Sequence, residues 1–462
     1  MRPLLTAVSA LGLGGALVVG ACNFDITNPN SPTEIGDGAS QQRVAAAMEG
    51  LLIAARADIG QPGGWVLKSA ILGREAYRID AADPRFVTEL LQAPTLDPSN
   101  DAFGGGQWRL EYATIRSGYN ILNVIGTAKL TDAQKEGVRG FTQTIQAYSY
   151  IILLDAHTED SIPIDVNRPL TAPLAPFVSN AVAWAHVVSL LDSAKTHLLA
   201  AGGAFAFALP AGFASFATPA AFLKVNRALL ARVYMYRAGP FAQTTLHDPC
   251  VACYDSVLAA LGESFVDTTA SLDLGVYFDF SANAGDATNG LSQQVSSAIQ
   301  LVHPSIKDSA ATKPGGGLDN RYTAKVADRG SALCVGTRCS TLSWNRYPSP
   351  GSSIPIIRNE ELILLRAEAN NWLGKGDSAA ADINFIRVNS GGLAADGTLG
   401  AAAQPAVENE ILIQRKYSLL YEGQRWVDMR RTGRLDQMIL DLPGDHIQST
   451  LPVNSFEVDS RK

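Results

Sequence analysis

The chain is short of charge. Only 18% of its 462 residues are Asp, Glu, Lys or Arg, against about a quarter in an ordinary soluble protein. The charge present leans acidic, Lys+Arg 37 against Asp+Glu 44, for a net −7. A broad nucleic-acid surface needs clustered basic residues, so that class of function is excluded. Hydrophobic residues make up 47%, which excludes a disordered chain, because disorder goes with low hydrophobicity and high net charge. Catalytic motifs are missing as well: the sequence holds no G-x-S-x-G, no H-E-x-x-H and no P-loop. The six histidines are dispersed, and the adjacent carboxylates Glu159-Asp160 and Glu360-Glu361 do not place two acids across a sugar. No cofactor is expected, and with many carboxylates in the chain a glycosidase-type acid/base pair stays open.

Long apolar runs are missing except at the start. Met1-Arg2 precedes an apolar stretch from Leu4 to Val19, too short and too rich in Gly and Ala to make a good membrane span. It ends Val19-Gly20-Ala21-Cys22, which resembles a bacterial lipobox. Residues 1–21 then read as a lipoprotein signal peptide, Cys22 as the lipidated residue, and residues 22–37 as a polar tether. Two or more acyl chains hold a protein stably on a bilayer. Cysteine is scarce, with four beyond Cys22: Cys250, Cys253, Cys334 and Cys339. In an exported chain they fit two local disulfides, Cys250–Cys253 and Cys334–Cys339. A zinc site built from His247, Cys250, Cys253, Cys334 and Cys339 and a set of free thiols are the rival readings. No metal is assigned.

What the sequence has in abundance is helical periodicity. Val44, Met48, Leu51 and Ala55 share one helix face; Val138, Phe141, Ile145, Tyr148 and Ile152 share another over four turns. Val187, Leu190, Leu191, Ala194 and Leu198 form a third stripe behind Ser179, a plausible N-cap, and Phe222, Val225, Leu229, Val233 and Tyr236 a fourth. Gly374 stops a helix that carries Leu362, Leu365, Ala369 and Trp372. The pattern predicts a mainly α fold in which tetratricopeptide-like helix pairs form a scaffold, without a strict repeat. The run from Ala200 to Ala221 reads as a mobile loop between helices. Between Phe265 and Pro355 the periodicity fails, and a large irregular loop region, about residues 266–355, is expected to carry the ligand site. Residues 38–462 are read as one domain.

Several stretches carry a family resemblance. Arg358-Asn359-Glu360-Glu361-Leu362-Ile363-Leu364-Leu365-Arg366-Ala367-Glu368-Ala369 is similar to the R-x-x-E-V/L-x-L-L/M-x-A-E-A helix of the SusD/RagB family. Arg415 to Gly433, with Glu422-Gly423-Gln424-Arg425-Trp426 and Asp428-Met429-Arg430, resembles its R-x-x-E-L-x-x-E-G-x-R-W/F-x-D-L/M-x-R-x-G, with Ser418 in place of the Glu. Ala380-x-x-Ile383-Asn384-x-Ile386-Arg387, Asn226 to Tyr236 and Trp108-x₃-Tyr112-x-x-Ile115 resemble further family helices. Glu422, Arg425, Asp428, Arg430 and Arg431 crowd a turn opened by Gly423, and this cluster reads as a structural corner of paired charges.

The resemblance implies a SusD-like helical scaffold. It also implies a cell-surface lipoprotein of the outer membrane that is not an enzyme, binds a glycan or another nutrient and passes it to a SusC-like TonB-dependent barrel. The other readings are a lipid-anchored scaffold in envelope assembly and an exported glycan hydrolase. No ligand residue carries over from the family pattern. A sugar ring stacks its C–H face on aromatics and meets amides and guanidinium groups at its edge. Aromatics in irregular stretches are therefore the candidates: Trp65, Tyr277, Tyr322, Trp344 and Tyr347, with Asn345 and Arg346 beside the last two.

Overall fold

The computed structural model describes residues 35–99, 103, 106–158, 162–169, 171–238 and 252–462. Cys22 with the leader and most of the tether, Glu159-Asp160, His247 and Cys250 lie outside the described residues. In chain order the elements begin with α1 (Gln41–Arg56), α2 (Trp65–Leu72), β1 (Ala76–Arg78), α3 (Arg85–Thr88), α4 (Gly106–Val124) and α5 (Asp132–Ala156). There follow β2 (Ile162–Pro163), β3 (Phe177–Val178), α6 (Asn180–Ala200), α7 (Pro219–Arg237), α8 (Cys253–Gly262), β4 (Gly275–Phe278) and β5 (Gln300–Val302). Then come α9 (Ser305–Asp308), α10 (Asn320–Lys325), β6 (Val326–Val335), β7 (Arg338–Trp344) and β8 (Ile354–Arg358). The chain closes with α11 (Asn359–Trp372), α12 (Gly376–Asn389), α13 (Gln404–Ser418), α14 (Arg425–Arg431) and α15 (Ser455–Asp459).

The long helices start where side chains satisfy their first amides. Thr131 and Gln134 form a reciprocal capping box on α5, Ser179 Oγ accepts from Val182 N on α6, and Thr218 caps α7 ahead of Pro219. Each apolar stripe named from the sequence faces inward: Val138, Phe141, Ile145, Tyr148 and Ile152 are all buried, as are the stripes of α1, α6 and α7. Consecutive helices pack on one another, α4 on α5, α5 on α6, α6 on α7 and α7 on α8. The close approach of α5 and α6 depends on Gly140, where a Cβ would lie 2.6 Å from Leu198 Cγ and 2.9 Å from the Ala194 carbonyl. The C-terminal helices pack the same way, α11 on α12 and α13 and also against α8, where Tyr254 and Trp372 stack at 5.6 Å. The fold is mainly α, built from tetratricopeptide-like helix pairs.

Two stretches differ from the sequence expectation. The Ala/Phe-rich run 200–221 is pinned to the core. Phe205, Phe207 and Phe213 surround Phe141, which stacks on Phe222 at 4.5 Å. Residues 266–355 are not one irregular loop region. They supply β5, β6 and β7, three strands of a four-stranded antiparallel sheet in the order β1-β5-β7-β6, and β4, which pairs with β8. β6 and β7 form a hairpin around Gly336, whose φ is +58°, with Cys334 opposite Cys339 and the two joined by a disulfide. Helical period was the wrong template for this segment. β7 buries alternate residues, Arg338, Ser340 and Leu342, which is period two, and two of these three are polar. Cys253 is also disulfide-bonded. Among the described residues there is no group of three or more His, Cys, Asp or Glu fit to hold a metal, and no helix long and apolar enough to cross a membrane.

The C-terminal tail returns across the N-terminal helices. His446 N donates to the Leu91 carbonyl, Leu451 N to the Ala156 carbonyl, and Trp426 Nε1 to the Gln448 carbonyl. This path carries α15 back to the first turns of α4. Residues 35–462 cluster as one compact unit.

Candidate ligand cavity

A cavity of about 660 Å³ opens between the N-terminal half of α4, the segment 163–175 and α15. That volume is in the range of small-molecule sites. α4 presents Trp108, Arg109, Tyr112 and Arg116 to it at helical spacing, one residue per turn with Arg109 beside Trp108. Trp108 is held in place by Tyr112 at 4.9 Å, His157 at 5.2 Å and Phe177 at 5.8 Å between ring centroids. Burial, offset only in part by the Leu451 carbonyl, brings His157 down to about 4, so this ring is neutral at pH 7.

The opposite wall, Pro163 to Ala175, is tied to α4 through its carbonyls. Tyr112 Oη donates to Pro163 O at 2.7 Å, and Arg116 Nη1 donates to Val166 O at 3.2 Å and Arg168 O at 2.8 Å. Arg168 pairs with Asp165 and also reaches Pro173 O. Pro169, Pro173 and Leu174 make this wall stiff and apolar. The third side is α15. Asn454 Oδ1 caps it by accepting from Phe456 N at 2.8 Å. Arg461 binds Glu457 through Nε at 2.9 Å, donates to Ala175 O at 2.6 Å and lies 4.3 Å over the Phe177 ring. Phe456 stands at the mouth with 73% of its surface exposed, beside Leu174 at 48%. A solvent-facing ring next to guanidinium groups can stack on a sugar face while the cations meet its polar edge.

None of the seven residues expected to bind ligand lines this cavity. Trp65, Tyr322, Trp344 and Tyr347 are buried, so the exposure expected of them is not found. Trp344 lies flat on Tyr421, 4.1 Å between centroids and 4° between planes. Tyr347 donates its hydroxyl to the Tyr421 carbonyl at 3.0 Å. Trp65 packs at 6.1 Å on Trp426. Their rings are spent on the joint between the sheet and the C-terminal helices. Tyr277 is half-buried on β4 and donates to the Asp273 carbonyl; Asn345 is exposed and donates to Ala324 O at 3.3 Å. Arg346 turns inward to Glu422 at 3.1 Å.

Arg346 leads into a buried charge network that is structural. Glu422 also meets Arg358 at 3.1 Å and Lys325 at 3.6 Å, and Arg358 reaches Glu360. Burial pushes the Glu422 carboxyl up, but Arg358, Arg346 and Lys325 outweigh it and bring it down to about 2. Ser418, which departs from the family pattern, donates to Glu360 at 2.6 Å and accepts from Arg321 at 3.1 Å. Gly423 takes φ +83°, and Arg415–Asp428–Arg431–Glu368 closes the corner with contacts of 2.5 to 2.9 Å. The paired-charge corner read from the motif is what the structure holds.

A second polar series joins Asp441, His303 and Ser305. His303 Nε2 lies 2.9 Å from Asp441 Oδ1, and its Nδ1 lies 2.8 Å from Ser305 Oγ. The Ser305 amide donates to the same Nδ1 at 3.2 Å, so the ring closes the first turn of α9 onto the tail.

The cavity residues that the sequence reading missed are Arg116, Arg168, Phe456 and Arg461. Two signals were available: the Pro-rich run 163–176, and an Asn-Ser-Phe helix start close to the C-terminus. Trp108 and Tyr112 were noticed as part of a motif, not as a wall.

Comparison with known proteins gives a consistent set. Residues 341–444 match the model of the SusD family. A SusD-like protein of Formosa agariphila is 30% identical over 140 residues, covering 27% of this chain and 26% of the relative. The match thus spans about a quarter of that curated relative's length. A SusD superfamily protein from Bacteroides vulgatus superposes with TM-score 0.67 at 17% identity, over 91% of this chain and 97% of that one. A laminarin-binding SusD-like protein gives 0.60 at 16%, over 91% and 98%. NanU of B. fragilis gives 0.62 at 14%, over 91% and 95%. At such identities the structural likeness concerns the fold.

Proposed function

This chain belongs to the SusD/RagB family, and from that premise we propose that it is a nutrient-binding protein of the cell surface which takes a glycan and performs no chemistry on it. Its leader, residues 1–21, is removed, Cys22 carries the lipid, residues 22–37 are a tether, and residues 38–462 form the binding domain on the outer membrane. A SusC-type TonB-dependent barrel receives the ligand. The observation that carries the reading is the open cavity, in which Trp108, Tyr112 and the exposed Phe456 adjoin Arg116, Arg168 and Arg461. Aromatic faces and fork-shaped donors are the two things a pyranose ring needs from a binding wall. A relative of the same fold that binds laminarin supports the ligand class.

The test is direct. The full chain is screened against a glycan panel, and Phe456→Ala is measured on whatever binds. The reading expects binding that Phe456→Ala weakens with the melting temperature unchanged. In cells, Cys22→Ser is expected to move the protein out of the membrane fraction, and the wild type is expected to co-purify with a TonB-dependent barrel. Release of shortened products from any bound glycan would overturn the non-enzymatic part. Co-purification with envelope proteins but no barrel would favour a scaffold.

A further inference from the structure

The three walls of the cavity are not held alike. α4 and the segment 163–175 are cross-tied by Tyr112 and Arg116, which together donate to the carbonyls of Pro163, Val166 and Arg168. The third wall, α15, is five residues long and buries none of them. The amides of Glu457, Val458, Ser460 and Arg461 bond to carbonyls within 454–458. The side chains of Ser460 and Lys462 also turn back, to Glu457 and Asp459. Past Ser455, whose amide donates to Pro98 O at 3.0 Å, Arg461 makes the one hydrogen bond that leaves the segment among the described residues. It donates to Ala175 O at 2.6 Å and rests 4.3 Å over the Phe177 ring.

The chain just before α15 is anchored firmly. Leu451 is fully buried, its amide donates to Ala156 O at 2.8 Å, and its carbonyl meets His157 Nδ1 at 2.8 Å. Asn454 is buried as well and caps α15. A helix this short does not keep its shape in water unless it is docked. Segments with little buried surface also open locally, at a fraction of the free energy of global unfolding. α15 therefore has one fixed end and one end held by a single side chain. Phe456 stands between the two ends, at the mouth.

We infer that α15 is a hinged strap across the cavity, which turns about Asn454 and is latched to the 163–175 wall by Arg461. Release of the latch opens that side, so that a chain too long or too branched for the closed cavity enters laterally. The inference concerns the gating of this site and rests on the reading of the cavity as the place where ligand binds. Arg461 acts as a positioning residue. A guanidinium suits a latch, because one planar group both donates to a carbonyl and stacks on a ring. With 19% of the Arg461 side chain in solvent, water can replace its contacts when it lets go.

Amide hydrogen exchange on the full chain tests the latch. In the wild type the α15 amides are expected to exchange faster than those of α4 and α5. Arg461→Ala is expected to speed exchange in α15 about tenfold, with α4, α5 and the melting temperature unchanged. Arg461→Lys keeps the charge and a donor but loses the planar stack, and should fall between the two. The gate is read by labelling a cysteine placed on the cavity wall, Val166→Cys. A small methanethiosulfonate should react equally with and without Arg461→Ala. A polyethylene-glycol maleimide should react faster with Arg461→Ala, by about the factor seen in exchange. Exchange in α15 as slow as in α4 overturns the inference, because the segment then opens only with the whole fold. Exchange in α15 indifferent to Arg461→Ala overturns the latch, and exchange raised in α4 as well makes Arg461 a structural prop and overturns it too. Bulky labelling unchanged by Arg461→Ala overturns the gate. No readout here uses a glycan, so a glycan panel without a binder would sink the binding reading separately, with the motion of the strap measured all the same.

Discussion

Two sets of arginines divide this molecule. At the corner formed by β8, α11, α13 and α14, Arg358, Arg415 and Arg431 are buried and each faces carboxylates, among them Glu422, Asp428 and Glu368. At the cavity, Arg168 and Arg461 each divide their donors between one carboxylate and a wall carbonyl, and Arg116 reaches only wall carbonyls among the described residues. The same side chain serves as internal glue in one place and lines an open cavity in the other. The difference lies in what remains for a ligand. A guanidinium enclosed by acids has its charge compensated, while one resting on carbonyls keeps it.

The comparison breaks first at Glu422. Its removal would leave Arg358, Arg346 and Lys325 enclosed without their shared acid. Glu422→Ala is expected to lower the unfolding free energy by about 3–5 kcal/mol, measured by urea titration. The wild type should show the same dependence on pH. The Glu422 carboxyl lies at about 2 in the fold against an ordinary 4.5. Its stabilisation is therefore complete above pH 4.5 and disappears as pH falls from 4.5 towards 2. The variant's stability curve should be flatter in that window.

Trp344 gives the next largest effect. Because it stacks on Tyr421 within the core, Trp344→Ala is expected to cost about 3 kcal/mol and to leave the affinity of the folded protein for glycan unchanged. A loss of affinity at unchanged melting temperature would return this residue to the binding surface.

Glu75 sharpens the contrast from the other side, as a buried acid that lacks the close partners of the corner. Among the described residues neither carboxylate oxygen has a side-chain hydrogen-bond partner, and burial pushes the group up to about 8 despite Arg425, the Tyr421 amide, Lys416 and Lys325. The fold holds its proton to higher pH than the unfolded chain does, so stability falls as pH rises from 4.5 through 8. Glu75→Gln is expected to stabilise by about 1–3 kcal/mol at pH 8 and by nothing at pH 4.5. A destabilised variant at pH 8 would show that the neighbouring cations depend on it. The smallest effect is expected at Phe456, where Ala should change stability by less than about 0.5 kcal/mol, because the ring is largely in solvent.

The helices were legible in the sequence because their evidence is local. The stripe Val138, Phe141, Ile145, Tyr148 and Ile152 repeats at helical period, and Thr131, Ser179 and Thr218 mark where amides need caps. The charged corner was legible too, since Glu422, Arg425, Asp428 and Arg431 lie within ten residues around a glycine that takes positive φ. The sheet was not. β5 pairs with β1 across more than two hundred residues, and the buried faces of β7 are partly polar, so no local pattern announces them. Trp344 and Tyr347 look exposed in a Ser/Pro/Gly-rich context and are buried by Tyr421, which is distant in sequence.

Residue order along the chain therefore settled the helical scaffold, its caps, the ion-paired corner and the family resemblance, because each is written in side chains a few positions apart. The ligand cavity is of another kind. α4, the proline-rich wall and α15 come from residues 108, 163 and 456, and they meet because the C-terminal tail crosses back to Leu91 and Ala156 through backbone hydrogen bonds. Those bonds are made by backbone amides and carbonyls, which every residue type except proline possesses in full. Which arginine is enclosed by acids and which lines the cavity was accordingly set by where the folded chain brought its carboxylates.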